Sequence, residues 1–144
     1  MKLAILSDIH GNLAALEAVL RHARGQGAVQ TILNLGDSIG YGPEPEAVIG
    51  CIQGEYFTNI RGDYDGKVLD KKYRKAGWSQ VKNPDKREMF AWTFRSLSRK
   101  SRRYLKSLPQ QRSLEIEGVK ILMTHAGPGP VSYTHLTLPT NREV

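Results

Sequence analysis

The sequence predicts an α/β fold whose short parallel strands alternate with helices and end in side chains able to bind a metal. Three observations carry that prediction. Apolar runs of strand length recur between amphipathic stretches. Each run stops abruptly at a carboxylate or an imidazole. The 144 residues are 40% hydrophobic, which suits a globular chain and argues against disorder.

Leu3-Ala4-Ile5-Leu6 is apolar on both faces of a period-2 strand, so a central, doubly covered position is expected. The run ends in Ser7-Asp8-Ile9-His10-Gly11-Asn12. An open α/β sheet places ligands at this kind of strand end, and an oxygen and a nitrogen donor from one turn can share a divalent ion. The competing structural reading is that Asp8 and His10 only cap the next helix. Asn12 is itself a good N-cap, and Leu13, Leu16, Val19, Leu20 and Ala23 form one apolar stripe. Gly25-Gln26-Gly27 ends this helix. His22 falls on its surface and receives no role.

Thr31 to Leu35 reads as the second strand and completes a βαβ unit with parallel pairing. It ends in Gly36-Asp37, so two carboxylates arrive at one sheet edge, where they repel unless a cation or proton neutralises them. Pro45 opens a second helix with Glu44 and Glu46 at its N-terminus. Tyr56 to Ile60 is the third strand, expected to end in a third acidic loop, Arg61-Gly62-Asp63-Tyr64-Asp65-Gly66. Residues 67–82 read as a basic, irregular connection. Asn83-Pro84 starts a helix running to about Leu97, and Ser98 caps another that ends near Leu108-Pro109. Glu117-Gly118 is a hairpin turn between Leu114–Ile116 and Val119–Met123, and the second strand runs into Thr124-His125.

Charge is divided along the chain. Residues 1–66 carry four Lys/Arg against eight Asp/Glu, residues 67–112 fifteen against three, and residues 113–144 two against three. The acidic groups gather where a metal site needs them, and the central segment has a net charge of +12. Tyr73, Trp78, Trp92 and Tyr104 are interleaved in that segment, so a nucleic-acid-binding module is the rival function. A solvated basic face with inward aromatics explains the same pattern. One cysteine, Cys51, excludes an intramolecular disulfide and fits a reducing cytoplasm. Its apolar neighbours make it a core residue rather than a nucleophile. No signal peptide or membrane span is expected.

Taken in order, Asp8-Ile9-His10-Gly11-Asn12, Gly36-Asp37-x-x-Gly40-Tyr41-Gly42-Pro43, Arg61-Gly62-Asp63-Tyr64-Asp65 and Thr124-His125-Ala126 resemble the successive motifs of calcineurin-like metallophosphoesterases, in particular the small bacterial YfcE-type phosphodiesterases. The resemblance implies an α-β-β-α sandwich and a two-metal phosphodiesterase or phosphatase acting on a phosphoester small molecule or nucleotide. By motif, Asp8 and His10 hold one metal, Asp37 bridges both and is catalytic, and Asp63 and His125 hold the other. Asn12 and Arg61 are assigned to substrate. The donor set suits Mn, Fe, Ni or Zn without separating them, and the metals would share a hydroxide that attacks phosphorus.

Three departures stand out. Asp63 replaces the family's Asn. Tyr64 replaces a His that protonates the leaving group in many members, so Tyr64 is either a catalytic proton donor or a structural residue. A phenol with a pKa of about 10 donates less readily at neutral pH, and leaving groups of low pKa should be preferred. The family's Gly-His-x-His is missing. Val131 to Thr140 back-translates onto a transposase adapter used in preparing sequencing libraries, so residues 130–144 are set aside as an artefactual tail. Residues 1–129 then read as the N-terminal part of the domain, with 67–110 as a basic helical cap. With the second sheet largely missing, the chain as written is expected to be poorly soluble and impaired in activity. A non-catalytic, degenerate member is a further alternative, and oligomeric state is not readable.

Overall fold

The computed structural model describes residues 2–25, 29–54 and 56–127; the tail read as adapter-derived lies outside them. Three parallel strands, β1 (Lys2–Leu6), β2 (Val29–Asn34) and β3 (Phe57–Asn59), form a sheet in the order β1-β2-β3. Helices α1 (Leu13–Gly25) and α2 (Pro45–Ile52) are the crossovers. After β3 come α3 (Asp63–Leu69), α4 (Lys71–Lys75), α5 (Pro84–Ser96) and α6 (Arg99–Ser107). An antiparallel hairpin of β4 (Gln111–Ile116) and β5 (Val119–Thr124) completes the described chain.

Period-2 alternation gives the sheet two cores. Ala4, Leu6 and Ile32 face the helices, where Leu16, Leu20, Val48, Ile49, Ile52 and Phe90 are buried. Leu3, Leu33 and Leu35 face the hairpin and pack with Ile60, Leu114, Ile121 and Met123. The α/β prediction holds, and the second sheet amounts to the β4–β5 hairpin among the described residues.

Three local expectations are corrected. Among the described residues β1 lies at the edge of this sheet, and β2 holds the central place. Both strands are apolar on both faces, and the hairpin that covers Leu3 leaves Ile5 62% exposed. β3 does not end in an acidic loop, because Gly62 is the N-cap of α3 and Asp63 its first residue. Residues 67–82 are not irregular throughout. α3 continues to Leu69, and the Asp70 carboxylate accepts from the amides of Lys72 and Tyr73 to cap α4. Trp78 anchors the turns after α4: it is buried, its indole N–H donates to the Lys67 carbonyl at 2.9 Å, and it stacks on Phe90.

The helix caps obey the sequence signals. The Asn83 side chain accepts from Asp85 and Lys86, and Ser98 accepts from Ser101. Glu117 and Gly118 both have positive φ, 49° and 78°, as a two-residue primed turn requires. His22 is exposed, and Cys51 is partly buried against the helical core, which pushes its thiol pKa up. Of the interleaved aromatics, Tyr73, Trp78 and Tyr104 pack toward the core, whereas Trp92 is 40% exposed. Arg74 and Arg102 each place a guanidinium carbon 4.3 Å from the Phe94 ring centroid, covering it with the basic segment's own side chains. Among the described residues, no helix is long and apolar enough to cross a membrane.

A buried amide cluster sets the β2–β3 register. Asn34 Nδ2 donates to Ser38 Oγ and to Asn59 Oδ1, both at 2.9 Å. Asn59 Nδ2 donates to the Ile52 carbonyl and to Tyr104 Oη, tying the sheet to α2 and α6. Those helices also meet through Glu46, which accepts from the Ser98 amide and from Ser101 Oγ, both at 2.9 Å. Partial burial raises the Glu46 pKa, but the Ser98 and Ser101 hydrogen bonds outweigh it, and the net shift is downward. A depressed folded pKa gives stability that is present above the unfolded value and lost as pH falls. Glu46→Gln should therefore destabilise by about 0.5–1 kcal/mol at pH 7, since the group is largely exposed. Urea titrations of the two proteins should converge as pH drops through 4.5 and below.

Candidate metal centre

The main-chain pairing of β1 and β2 continues past both strands. Leu35 N donates to the Leu6 carbonyl, Asp8 N to Gly36, His10 N to Asp37 and Gly11 N to Ser38, at 2.8–3.0 Å. This ladder sets Asp8 and His10 beside Asp37. All three take left-handed backbone angles, with φ of 57°, 49° and 52°. Such conformations cost of order 1–3 kcal/mol each in a non-glycine residue and persist where surrounding structure enforces them. Neither Asp8 nor His10 caps α1. Asn12 does, its Oδ1 accepting from Ala15 N at 3.0 Å.

Donor atoms of Asp8, His10 and Asp37 all lie within 4.8 Å of one another. His10 Nε2 is 3.6 Å from Asp8 Oδ1 and 4.0 Å from Asp37 Oδ2. His125, at the end of β5, brings its Nε2 to 3.3 Å from the same Asp37 oxygen. The far side of each ring explains its orientation. His10 Nδ1 lies 3.2 Å from the Ile39 carbonyl, and His125 Nδ1 lies 2.9 Å from the Leu35 carbonyl. A carbonyl only accepts, so each Nδ1 carries a hydrogen and each ring turns its Nε2 toward Asp37. A divalent ion held between ring and carboxylate would take the Nε2 lone pair, and the tethered Nδ1 is the usual support of a ligating histidine. Two carboxylates, two imidazoles and no thiolate fit a borderline divalent ion.

Asp37 is 2% exposed, and burial raises its pKa, against the Tyr64 amide, which donates to Oδ1 at 2.7 Å, and the two histidines, which lower it. That approach depends on Gly62. A Cβ there would lie 2.2 Å from both the amide nitrogen and Oδ1 of Asp37. Gly36, at φ 98°, has the reciprocal constraint, since its Cβ would meet Gly62 N at 2.4 Å.

The remaining motif residues surround this cluster. Asp63 opens α3, partly buried, and lies outside the Asp8–His10–Asp37 group. Arg61 is held through its amide to the Pro109 carbonyl, and its buried Nε has no hydrogen-bond partner. Tyr64 packs edge-on to His10, with ring centroids 5.1 Å apart, and its Oη is 2.6 Å from that of Tyr41.

Two functional contributors carried no assignment from sequence. Asp65 is fully buried, accepts from Gly62 N and Ile39 N, and has its pKa pushed by burial up to about 6. It stitches the loop after β2 to the start of α3. Its position three residues after the N-cap Gly62 is a capping-box spacing, a signal that was available. Tyr41 is the second, packing on His10 at 5.0 Å.

The sequence matches the Calcineurin-like phosphoesterase superfamily domain over residues 1–143. An uncharacterised protein of Methanocaldococcus jannaschii is 32% identical over 130 residues, covering 88% of this chain and 49% of that protein. The crystal structure of a metallophosphoesterase from Sphaerobacter thermophilus is 32% identical, with a TM-score of 0.64, over 80% of this chain and 44% of that one. The E. coli phosphoesterase Yfce shares the fold at 21% identity and a TM-score of 0.50, over 90% and 60% of the two chains. The chain thus spans about half the length of the first relatives it matches.

Gly62→Ala tests the close approach at Asp37. The variant should displace Asp37 and abolish the rise in melting temperature that Mn²⁺ gives the parent protein, read by thermal denaturation with and without metal.

Proposed function

The chain belongs to the calcineurin-like phosphoesterase superfamily, and on that premise we propose that it is a metal-dependent phosphoesterase acting on a phosphoester small molecule or nucleotide. The observation that carries this reading is the pair of imidazoles, His10 and His125, each tethered at Nδ1 and each presenting Nε2 to the buried Asp37 carboxylate.

In this reading Asp8, His10, Asp37, Asp63 and His125 would hold the metals, with Asp37, approached by both imidazoles, shared between them. Bound divalent metals supply Lewis-acid activation of water and neutralise charge at the phosphoryl group. The protein's own contribution is placement. Asp37 is fixed by the Tyr64 amide, and the two rings by main-chain carbonyls, so no reorientation is needed when substrate arrives. Asn12 and Arg61 are the assigned substrate contacts. Their loops adjoin the centre: Asn12 follows His10 by two residues, and Arg61 precedes Gly62, which presses on Asp37.

Tyr64 takes the place of a leaving-group acid. Burial and the Tyr41 hydroxyl raise its pKa, so its hydroxyl keeps its proton more firmly than an ordinary phenol. A firmly held proton assists an alkoxide poorly. With Mn²⁺, turnover of a nitrophenyl phosphoester should exceed that of an alkyl phosphoester at least tenfold in kcat/KM, and equal rates would overturn this preference for leaving groups of low pKa.

The reading itself is tested by Asp37→Ala. Mn²⁺-dependent hydrolysis of bis(p-nitrophenyl) phosphate should be lost in this variant and in the parent protein treated with a chelator. Activity surviving both would overturn it.

A further inference from the structure

Lys86 belongs to none of the motifs that define the metal centre, yet the fold delivers it there. Asn83 caps α5, and the first turn of that helix carries the Lys86 side chain across to Tyr64, where Nζ donates to Oη at 3.2 Å. The same ammonium is 5.9 Å from the ring centroids of both Tyr64 and Tyr41. Those rings are the two that pack edge-on against His10. Lys67 approaches from the other helix, its Nζ 5.6 Å from the Tyr64 centroid. One ring's breadth therefore separates a candidate metal ligand from two ammonium groups.

The charge on Lys86 is not spent within the protein. Its partners are phenols, and no carboxylate pairs with it among the described residues. An ammonium has three N–H donors and no acceptor. The Tyr64 oxygen takes one and the neighbouring Tyr41 hydroxyl a second, and the side chain is only partly buried. Tyr41, 53% exposed, adds a hydroxyl on the open side of the cluster. A second anionic group on a substrate bound at the centre would answer this charge.

We propose that Lys86, positioned by Tyr64 and Tyr41, is a specificity-determining residue that binds a second anionic group of the substrate beside the group held at the metal centre. The favoured substrates are then phosphate compounds carrying two or more linked phosphates. The inference rests on the phosphoesterase reading of the site and names its substrate class.

Isothermal titration calorimetry of the full chain with Mn²⁺ compares inorganic pyrophosphate with orthophosphate. The parent protein should bind pyrophosphate more tightly, and Lys86→Ala should lower the pyrophosphate-to-orthophosphate affinity ratio about tenfold, the worth of one charge-assisted hydrogen bond. Lys86→Arg, which keeps the charge, should recover most of the ratio and guards against a folding defect in the alanine variant. A ratio unchanged in Lys86→Ala, or lowered equally in Lys86→Arg, overturns the assignment. Mn²⁺-dependent hydrolysis of p-nitrophenyl phosphate by the parent protein is measured alongside. If hydrolysis is present and the ratio does not move, Lys86 alone loses its role. If hydrolysis is missing, the phosphoesterase reading falls, and the affinity ratio still decides whether Lys86 binds the second anion.

Discussion

Burial of the Asp37 carboxylate is the constraint around which the other parts are arranged. A carboxylate removed from water and left unpaired costs several kcal/mol, and its pKa rises in response. The fold accepts that burden by placing Asp37 at the end of the central strand and directing the Tyr64 amide and two imidazoles at it. Gly36 and Gly62 press together so that the start of α3 can come within reach. Asp8, by contrast, has a side chain 57% exposed and belongs to the rim of the centre. The left-handed backbones at Asp8, His10 and Asp37 are local strain that the ladder between the two loops holds in place.

The acidic and basic parts of the chain meet at this site. The strand ends contribute the carboxylates and imidazoles, and the helical segment after β3 contributes Lys67 and Lys86 through their contacts with Tyr64. The same helical segment is fastened to the sheet at a distance from the metal centre, by Tyr104 on Asn59 and by Glu46 on Ser98 and Ser101. Its position over the site therefore depends on buried polar contacts as well as on apolar packing. Phe94 lies between two guanidinium groups, so part of the segment's charge covers its own hydrophobic surface.

Features decided by local chemistry were legible in the sequence. Asn12, Asn83 and Ser98 cap helices because a short polar side chain can reach the first free amides, whatever the rest of the chain does. Glu117-Gly118 turns the hairpin for an equally local reason. Asp8, His10, Asp37 and His125, read from separate motifs, lie side by side, and Asp63 lies outside the Asp8–His10–Asp37 group. Features decided by tertiary context were not legible. Leu3–Leu6 has the composition of a central strand, and only the strand order among the described residues shows it at the edge. α3 and α4 were hidden because Gly62 and Asp70 act as caps in a stretch whose composition suggests a loop. The carbonyl partners of the two imidazoles, and the reach of Lys86, come from chain segments far apart in sequence, and no short pattern encodes them.

The supports of the metal centre are made almost wholly of main chain. Carbonyls of Ile39 and Leu35 aim the histidines, and an amide aims Asp37. A substitution at any of those supporting positions removes no supporting atom; what it changes is packing, because Ile39 and Leu35 lie in the two cores. Vulnerability is concentrated instead in the ligands themselves and in two glycines that have no side chain to lose, only one to gain. Sequence drift in this chain should accordingly be limited at Ile39 and Leu35 to apolar residues that keep the packing, and resisted for every side chain at Gly36 and Gly62, a distribution that a scan of all substitutions at these four positions would make visible.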